Sequence, residues 1–176
     1  MSEALEALYA GNVEGARELL PPDEELSVFE AAAFGRVDAL RRILEDEPGK
    51  ATALSGDGFT ALHLAVFGGQ EEAARLLLER GADPNALSTN EQVRVPPLGT
   101  AAFVRSVSLA RLLLDSGADV NGRGEGGFTA LHSAAQNGDE ELALLLLERG
   151  ADPGLGSDDG KLPADYGLSE LLPTGR

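Results

Sequence analysis

The sequence predicts an all-α solenoid, built of stacked helix pairs joined by β-hairpin-like loops. Three observations lead there. A leucine-rich phrase recurs along the chain, as Ala74-Arg75-Leu76-Leu77-Leu78-Glu79-Arg80-Gly81-Ala82-Asp83, again over 110–119 and again over 143–152. A second phrase, Phe-Thr-Ala-Leu-His, precedes two of those copies, at Phe59–His63 and Phe128–His132. The Gly-Ala-Asp steps begin at Gly81, Gly117 and Gly150, spacings of 36 and 33 residues, which is the range of a small supersecondary unit that stacks on its own copies.

Each repeat reads as helix, turn, helix and loop. In the third repeat (57–90), Thr60 stands where a side-chain oxygen can accept an early backbone N–H. Ala61-Leu62-His63-Leu64-Ala65-Val66 then forms a short first helix that Gly68-Gly69 ends. Glu71-Glu72 suit the positive end of the second helix, and Arg80 suits its negative end. Gly81 supplies a left-handed cap. The fifth repeat (125–158) has the same wording at Thr129–Leu131, Gly138, Asp139-Glu140-Glu141 and Leu144–Leu147. Ala65, Ala101 and Ala134 fall at equivalent places, where first helices of adjacent repeats must approach closely.

The earlier copies diverge more. Residues 27–56 form a second repeat, with Val28–Gly35 as first helix and turn and Val37–Leu44 as second helix. Residues 1–26 form an N-terminal cap, with helices over Leu5–Ala10 and Val13–Leu20 and a break at Pro21-Pro22. The fourth repeat (91–124) departs furthest. Pro97-Leu98 holds the place of Ala61-Leu62, Gly99 replaces the histidine, Arg105 replaces the turn glycine, and the loop Ser88–Pro96 is three residues longer than its fifth-repeat counterpart. Residues 159–176 form a partial C-terminal cap, with Pro163-Ala164 in register with Ala130-Leu131 and a shortened second helix over Ser169–Leu172 before Pro173. Atypical ends are what a solenoid needs, since an internal copy there would leave an apolar face wet. One domain is expected over residues 1–176.

This pattern resembles the ankyrin repeat, whose phrase Thr-Pro-Leu-His-x-Ala is nearly spelled out by Thr60-Ala61-Leu62-His63-Leu64-Ala65. The resemblance implies a concave groove, lined by hairpin tips and the outer part of the first helices, that holds partner proteins. By that correspondence the groove residues are Tyr9, Phe34, Phe59, Phe67, Val95, Phe103, Val104, Phe128, Gln136 and Asn137. Arg94 and Arg105 give the fourth repeat a locally less acidic patch, and Phe29 is assigned to the core at the histidine position. A second arrangement stays open, in which Phe59 and Phe128 lie over the adjacent hairpin and Phe67 and Phe103 pack on each other. The histidine of the phrase implies a structural role, bridging turns by hydrogen bonds.

Composition narrows the functional classes. The net charge is −16, with 14 basic against 30 acidic side chains, which argues against binding to a phosphate backbone. The charge is uneven: residues 91–124 hold four basic and three acidic side chains, whereas 125–176 hold ten acids and three bases. Acidic ends keep a solenoid soluble and oppose end-to-end stacking. There is no cysteine, so disulfides and thiolate metal sites are ruled out, and a reducing, cytoplasmic setting is expected. The longest wholly apolar run, Leu142–Leu147, is far short of the roughly 20 residues needed to cross a bilayer. A soluble monomer without a secretion signal is expected.

No constellation for chemistry emerges. His63 and His132 lie two repeats apart, about 20 Å for packed helices, too far to share a metal or a proton. Asp83, Asp119 and Asp152 recur singly and read as loop formers that bond local N–H groups, not as an acid–base pair. Ser157-Asp158-Asp159-Gly160-Lys161 lacks the glycine and hydroxyl spacing of a phosphate loop and the alternating acids of a calcium loop, so it reads as a hairpin tip. The sequence therefore predicts no catalytic, cofactor or metal site. It predicts a module that binds a partner protein or peptide; the alternatives are a self-associating scaffold and an acidic inhibitor of a basic surface.

Overall fold

The computed structural model describes residues 2–90 and 92–172, and they form ten α-helices in five contacting pairs. The chain divides into two compact units, one of residues 1–83 with 88–91 and the other of 84–87 with 92–176. The N-terminal unit holds α1 (Glu3–Tyr9), α2 (Val13–Glu18), α3 (Val28–Ala33), α4 (Val37–Asp46), α5 (Ala61–Phe67) and α6 (Glu71–Glu79). The C-terminal unit holds α7 (Pro97–Phe103), α8 (Val107–Asp115), α9 (Ala130–Asn137) and α10 (Glu140–Glu148). Among the described residues there is no strand, only an isolated antiparallel bridge between Leu54 and Thr60.

Local chemistry accounts for these boundaries. Ser2, Asn12, Ser27, Thr60, Ser106 and Asp139 each cap a helix by accepting a backbone N–H on the side-chain oxygen, which satisfies one of the donors a helix start leaves unpaired. Gly81, Gly117 and Gly150 follow α6, α8 and α10 with φ near +90°, a backbone conformation closed to most side chains.

Each unit has its own core. In the N-terminal unit Leu40, Leu44, Leu62, Leu64 and Leu77 are at most 1% exposed. In the C-terminal unit Leu98, Leu109, Leu113, Leu131, Leu142 and Leu146 play that part. Each such side chain contributes about 1.5–3 kcal/mol through burial. Alanines set how closely the first helices approach: Ala31 and Ala65 are fully buried where α3 packs α5, as are Ala101 and Ala134 where α7 packs α9. Bulk at these places would separate the layers.

Three readings need correction. Ser169–Leu172 is not a helix: Leu168 adopts a left-handed φ of 55°, and Leu171 and Leu172 donate back to its carbonyl in a turn. The Pro163–Asp165 stretch, placed as a first helix, is a single 3₁₀ turn. Pro173 lies outside the described residues. In the second repeat α3 is one residue shorter than α5, and Glu30 rather than Phe29 is the buried residue three places after the cap; Phe29 is only half-buried.

Candidate functional site

The histidine positions are structural. Thr129 N–H donates to His132 Nδ1 at 3.2 Å, and His132 Nε2 lies 3.2 Å from the Lys161 carbonyl oxygen. An amide can only donate and a carbonyl can only accept, so the ring is neutral with its proton on Nε2. Burial holds its pKa below the ordinary histidine value, and the Arg123 guanidinium adds to that, against the opposing pull of the Lys161 carbonyl. His63 repeats the local half of this arrangement, its Nδ1 lying 2.8 Å from Thr60 Oγ1. In the second repeat a carboxylate does the same work: Glu30 Oε2 accepts from the Ser27 N–H at 2.9 Å and from the Ser27 hydroxyl at 2.7 Å. Burial alone would push the Glu30 pKa up, but these bonds and one from Ser2 outweigh it and hold it below the ordinary carboxylate value.

The aspartates of the Gly-Ala-Asp steps act on local backbone. Asp119 Oδ1 accepts from the Asn121 N–H at 2.9 Å, and Asp152 Oδ1 accepts from the Gly154 N–H at 2.8 Å. A second set of loop bonds runs between repeats and was not foreseen. Asn85 donates to the Gly117 carbonyl and accepts from the Asp119 N–H at 2.7 Å; Asn121 donates to the Gly150 carbonyl and accepts from the Asp152 N–H at 2.8 Å. Both asparagines stand two residues after an aspartate of the Gly-Ala-Asp step, and that recurrence was the available signal. Among the described residues no cluster of three or more His, Cys, Asp or Glu could hold a metal ion, and no helix is long and apolar enough to cross a membrane.

The residues assigned to the groove fall into three groups. In the N-terminal unit, Tyr9, Phe34, Phe59 and Phe67 gather on one core cluster with Leu5, Leu8 and Leu64. Tyr9 packs edge-on to Phe67 at 5.4 Å between centroids and tilted to Phe59 at 6.3 Å; Phe59 in turn lies 5.9 Å from His63. Phe34 is 9% exposed, so its assignment to an open groove does not hold. It stands one place beyond the shortened α3, as the residue that ends that helix, and is drawn into the cluster with Ala33 and Leu64.

In the C-terminal unit, Arg94, Val95 and Phe128 line one partly open hollow of about 200 Å³, together with Pro96, Gly124 and Glu125. The long fourth-repeat loop reaches this wall because the Glu125 N–H donates to the Arg94 carbonyl. Val95 fills the room that the missing histidine leaves: a Cβ on Gly99 would come within 2.6 Å of Val95 Cγ2. Phe128 is half-buried and stacks edge-on to Tyr166, 4.9 Å away, and beside His132 at 5.0 Å.

The third group is the most open. Phe103 ends α7 and is 69% exposed. Val104 and Arg105 follow it in the turn. Gln136 and Asn137 stand at the matching end of α9, and Asn137 donates to the Ala102 carbonyl at 3.2 Å, which ties the two helix ends together. Phe103, Val104, Arg105, Gln136 and Asn137 thus form one face: a large apolar ring beside amides and a guanidinium.

Comparison with known proteins agrees with the repeat geometry. A family model described as ankyrin repeats in three copies matches residues 3–88 and again 87–156. The chain is similar to ankyrin repeat and SOCS box protein 3 of Bos taurus, 36% identical over 169 residues that cover 89% of this chain and 32% of that protein. The Homo sapiens protein of the same name is 34% identical over 180 residues, covering 93% and 34%. Protein phosphatase 1 regulatory subunit 27 of Homo sapiens is 33% identical over 131 residues, covering 74% and 62%. The chain spans about a third of the length of the first two of these relatives. Ankyrin repeats are generally protein–protein interaction modules and are typically non-enzymatic. With capped helix pairs, glycine-ended second helices and a family match over most of its length, the chain belongs to the ankyrin-repeat family.

Proposed function

We propose that this chain is a protein-interaction module that captures a partner protein or an extended peptide on the face centred on Phe103. The observation that carries the reading is the contrast among equivalent positions: Tyr9 and Phe67 are half-buried in an aromatic cluster, whereas Phe103 is 69% exposed. An aromatic ring left largely in water beside hydrogen-bonding amides is the usual make-up of an interface anchor. Val104, Gln136 and Asn137 complete this face, and the hollow lined by Arg94, Val95 and Phe128 offers a second contact in the same unit.

The reading takes the chain as a cytoplasmic monomer that needs no cofactor or metal and binds neither nucleic acid nor membrane, in keeping with its charge of −16 and its lack of cysteine. Similarity to a protein named as a phosphatase regulatory subunit fits a role in holding another protein rather than in transforming a substrate. The test is selection of binders to the full chain from a displayed random-peptide library, followed by affinity measurement on Phe103→Ala. At least a tenfold loss with an unchanged melting temperature is expected, and undiminished binding by that variant would refute the assignment.

A further inference from the structure

Resting on that reading of the Phe103 face, we infer that its partner presents a carboxylate next to an apolar side chain, and that Arg105 receives the carboxylate while Phe103 packs the apolar group. In the other four helix pairs the residue at this turn is glycine with positive φ: Gly11 at 78°, Gly35 at 66°, Gly69 at 72° and Gly138 at 64°. The fourth repeat keeps the same turn, with φ of 57°, but places an arginine in it. A side chain with a Cβ is strained in this conformation, whereas glycine is not. Strain of this kind persists where the side chain serves a purpose other than the fold.

The fold gains little from Arg105 in return. Its closest ion pair is to Asp139 at 3.9 Å, and the Arg105 side chain is 59% exposed. An exposed pair at that distance contributes little to stability. Asp139 is engaged elsewhere, since its Oδ1 caps α10 by accepting the Leu142 N–H at 3.1 Å, and its side chain is only 11% exposed. The carboxylate faces inward and the guanidinium faces water, so the charge that this face shows to a partner is positive.

The surroundings sharpen the complementarity. Phe103, Val104, Gln136 and Asn137 carry no charge, and residues 91–124 are the one repeat with more basic than acidic side chains in a chain of net −16. A lone outward guanidinium beside an exposed phenyl ring selects a carboxylate through charge-assisted hydrogen bonds and rewards an adjacent apolar group by burial. A basic partner segment would instead bring a like charge against Arg105.

The substitution Arg105→Gly separates binding from folding, because glycine suits the turn. The full chain, its Arg105→Gly and Arg105→Lys variants and Phe103→Ala are compared for melting temperature and for affinity toward peptides selected on the parent chain from a displayed random library. Four results are expected: selected peptides carry Asp or Glu within a few residues of an aromatic or aliphatic side chain; Arg105→Gly binds them at least tenfold more weakly; Arg105→Lys lies between; and Arg105→Gly melts no lower than the parent. The inference is overturned by selected peptides that lack the acid, by equal affinity on Arg105→Gly, or by a lower melting temperature for that variant. Equal affinity on Phe103→Ala would instead overturn the underlying reading of the face, so the two failures are told apart.

Discussion

The Tyr9 hydroxyl donates a 2.9 Å hydrogen bond to Asp57 Oδ2, joining the end of the first helix to the hairpin that precedes α5, two repeats further along the chain. The Ser55 hydroxyl donates to the other carboxylate oxygen of Asp57, so the acceptor is held from both sides. Phe59 and Phe67 both pack on the Tyr9 ring, so the hydrogen bond and the ring contacts hold the same side chain.

Tyr9→Phe keeps that packing and removes only the hydroxyl. A loss of about 1–2 kcal/mol is expected, because a bond to a charged acceptor is given up at a half-buried site, and a denaturant midpoint measures it. Burial first, then the bond and the charge of Asp57, raise the Tyr9 pKa above its ordinary value of 10.0. Above that value the unfolded chain gives up a proton that the fold retains, so the tyrosine's contribution is whole below about pH 10 and declines as pH rises further. The parent should lose more stability between pH 9 and about pH 11 than Tyr9→Phe does.

His132 predicts the opposite slope. Its pKa in the fold lies below the ordinary 6.5, so between those two values the unfolded chain binds a proton that the native ring refuses. The contribution is complete above 6.5 and is lost as pH falls below it. His132→Gln should lower stability at pH 7.5 and should narrow the difference from the parent at pH 5.5, as read by urea midpoints at the two pH values.

The asparagine bonds between loops predict a cost confined to the C-terminal unit. Asn121→Ala forfeits a donor to the Gly150 carbonyl and an acceptor for the Asp152 N–H, and about 1 kcal/mol of destabilisation is expected at this exposed position. Asn121→Asp should cost at least as much, since a carboxylate then faces a carbonyl oxygen. Amide hydrogen exchange at Asp152 should quicken in Asn121→Ala and less so in Asn121→Asp, whose carboxylate keeps an acceptor for that N–H.

Gly68 tests how closely the first helices approach. A Cβ there would run into the Ala33 carbonyl, a backbone atom that cannot step aside. Gly68→Ala should therefore cost about 1–3 kcal/mol, whereas Gly69→Ala meets no neighbour and should cost only the strain of its positive φ. Melting temperatures of the two variants decide this.

The legible part of the molecule was the part that local chemistry fixes. Thr60, the Glu71-Glu72 pair and Gly81 mark helix starts and ends by chemistry within a few residues, so the pairs could be read directly, whereas Arg80 reaches Glu45, 35 residues away. Phe34 was misread because it stands as far from its cap Ser27 as Phe67 does from Thr60, and only a cluster with Leu5, Leu8 and Leu64, all distant in sequence, decides that it is buried. The fate of Tyr9 was hidden for a related reason: its partner Asp57 is 48 residues away, and no short-range pattern announces such a bond. Arg105 was visible as an arginine in the place of a glycine, but the left-handed turn and the inward Asp139 carboxylate depend on packing that no local pattern announces. The terminal Ser169–Leu172 segment has no packed partner phrase to copy, and its apolar spacing was too short to decide between helix and turn.

The most direct test of the account is an amide NMR titration of the full chain with a peptide selected on it, following backbone shifts residue by residue. The largest changes are expected at 103–106 and 136–139, with smaller ones around Arg94 and Phe128. Changes confined to Tyr9, Phe59 and Phe67, or to the second helices α8 and α10, would contradict the assignment of this face.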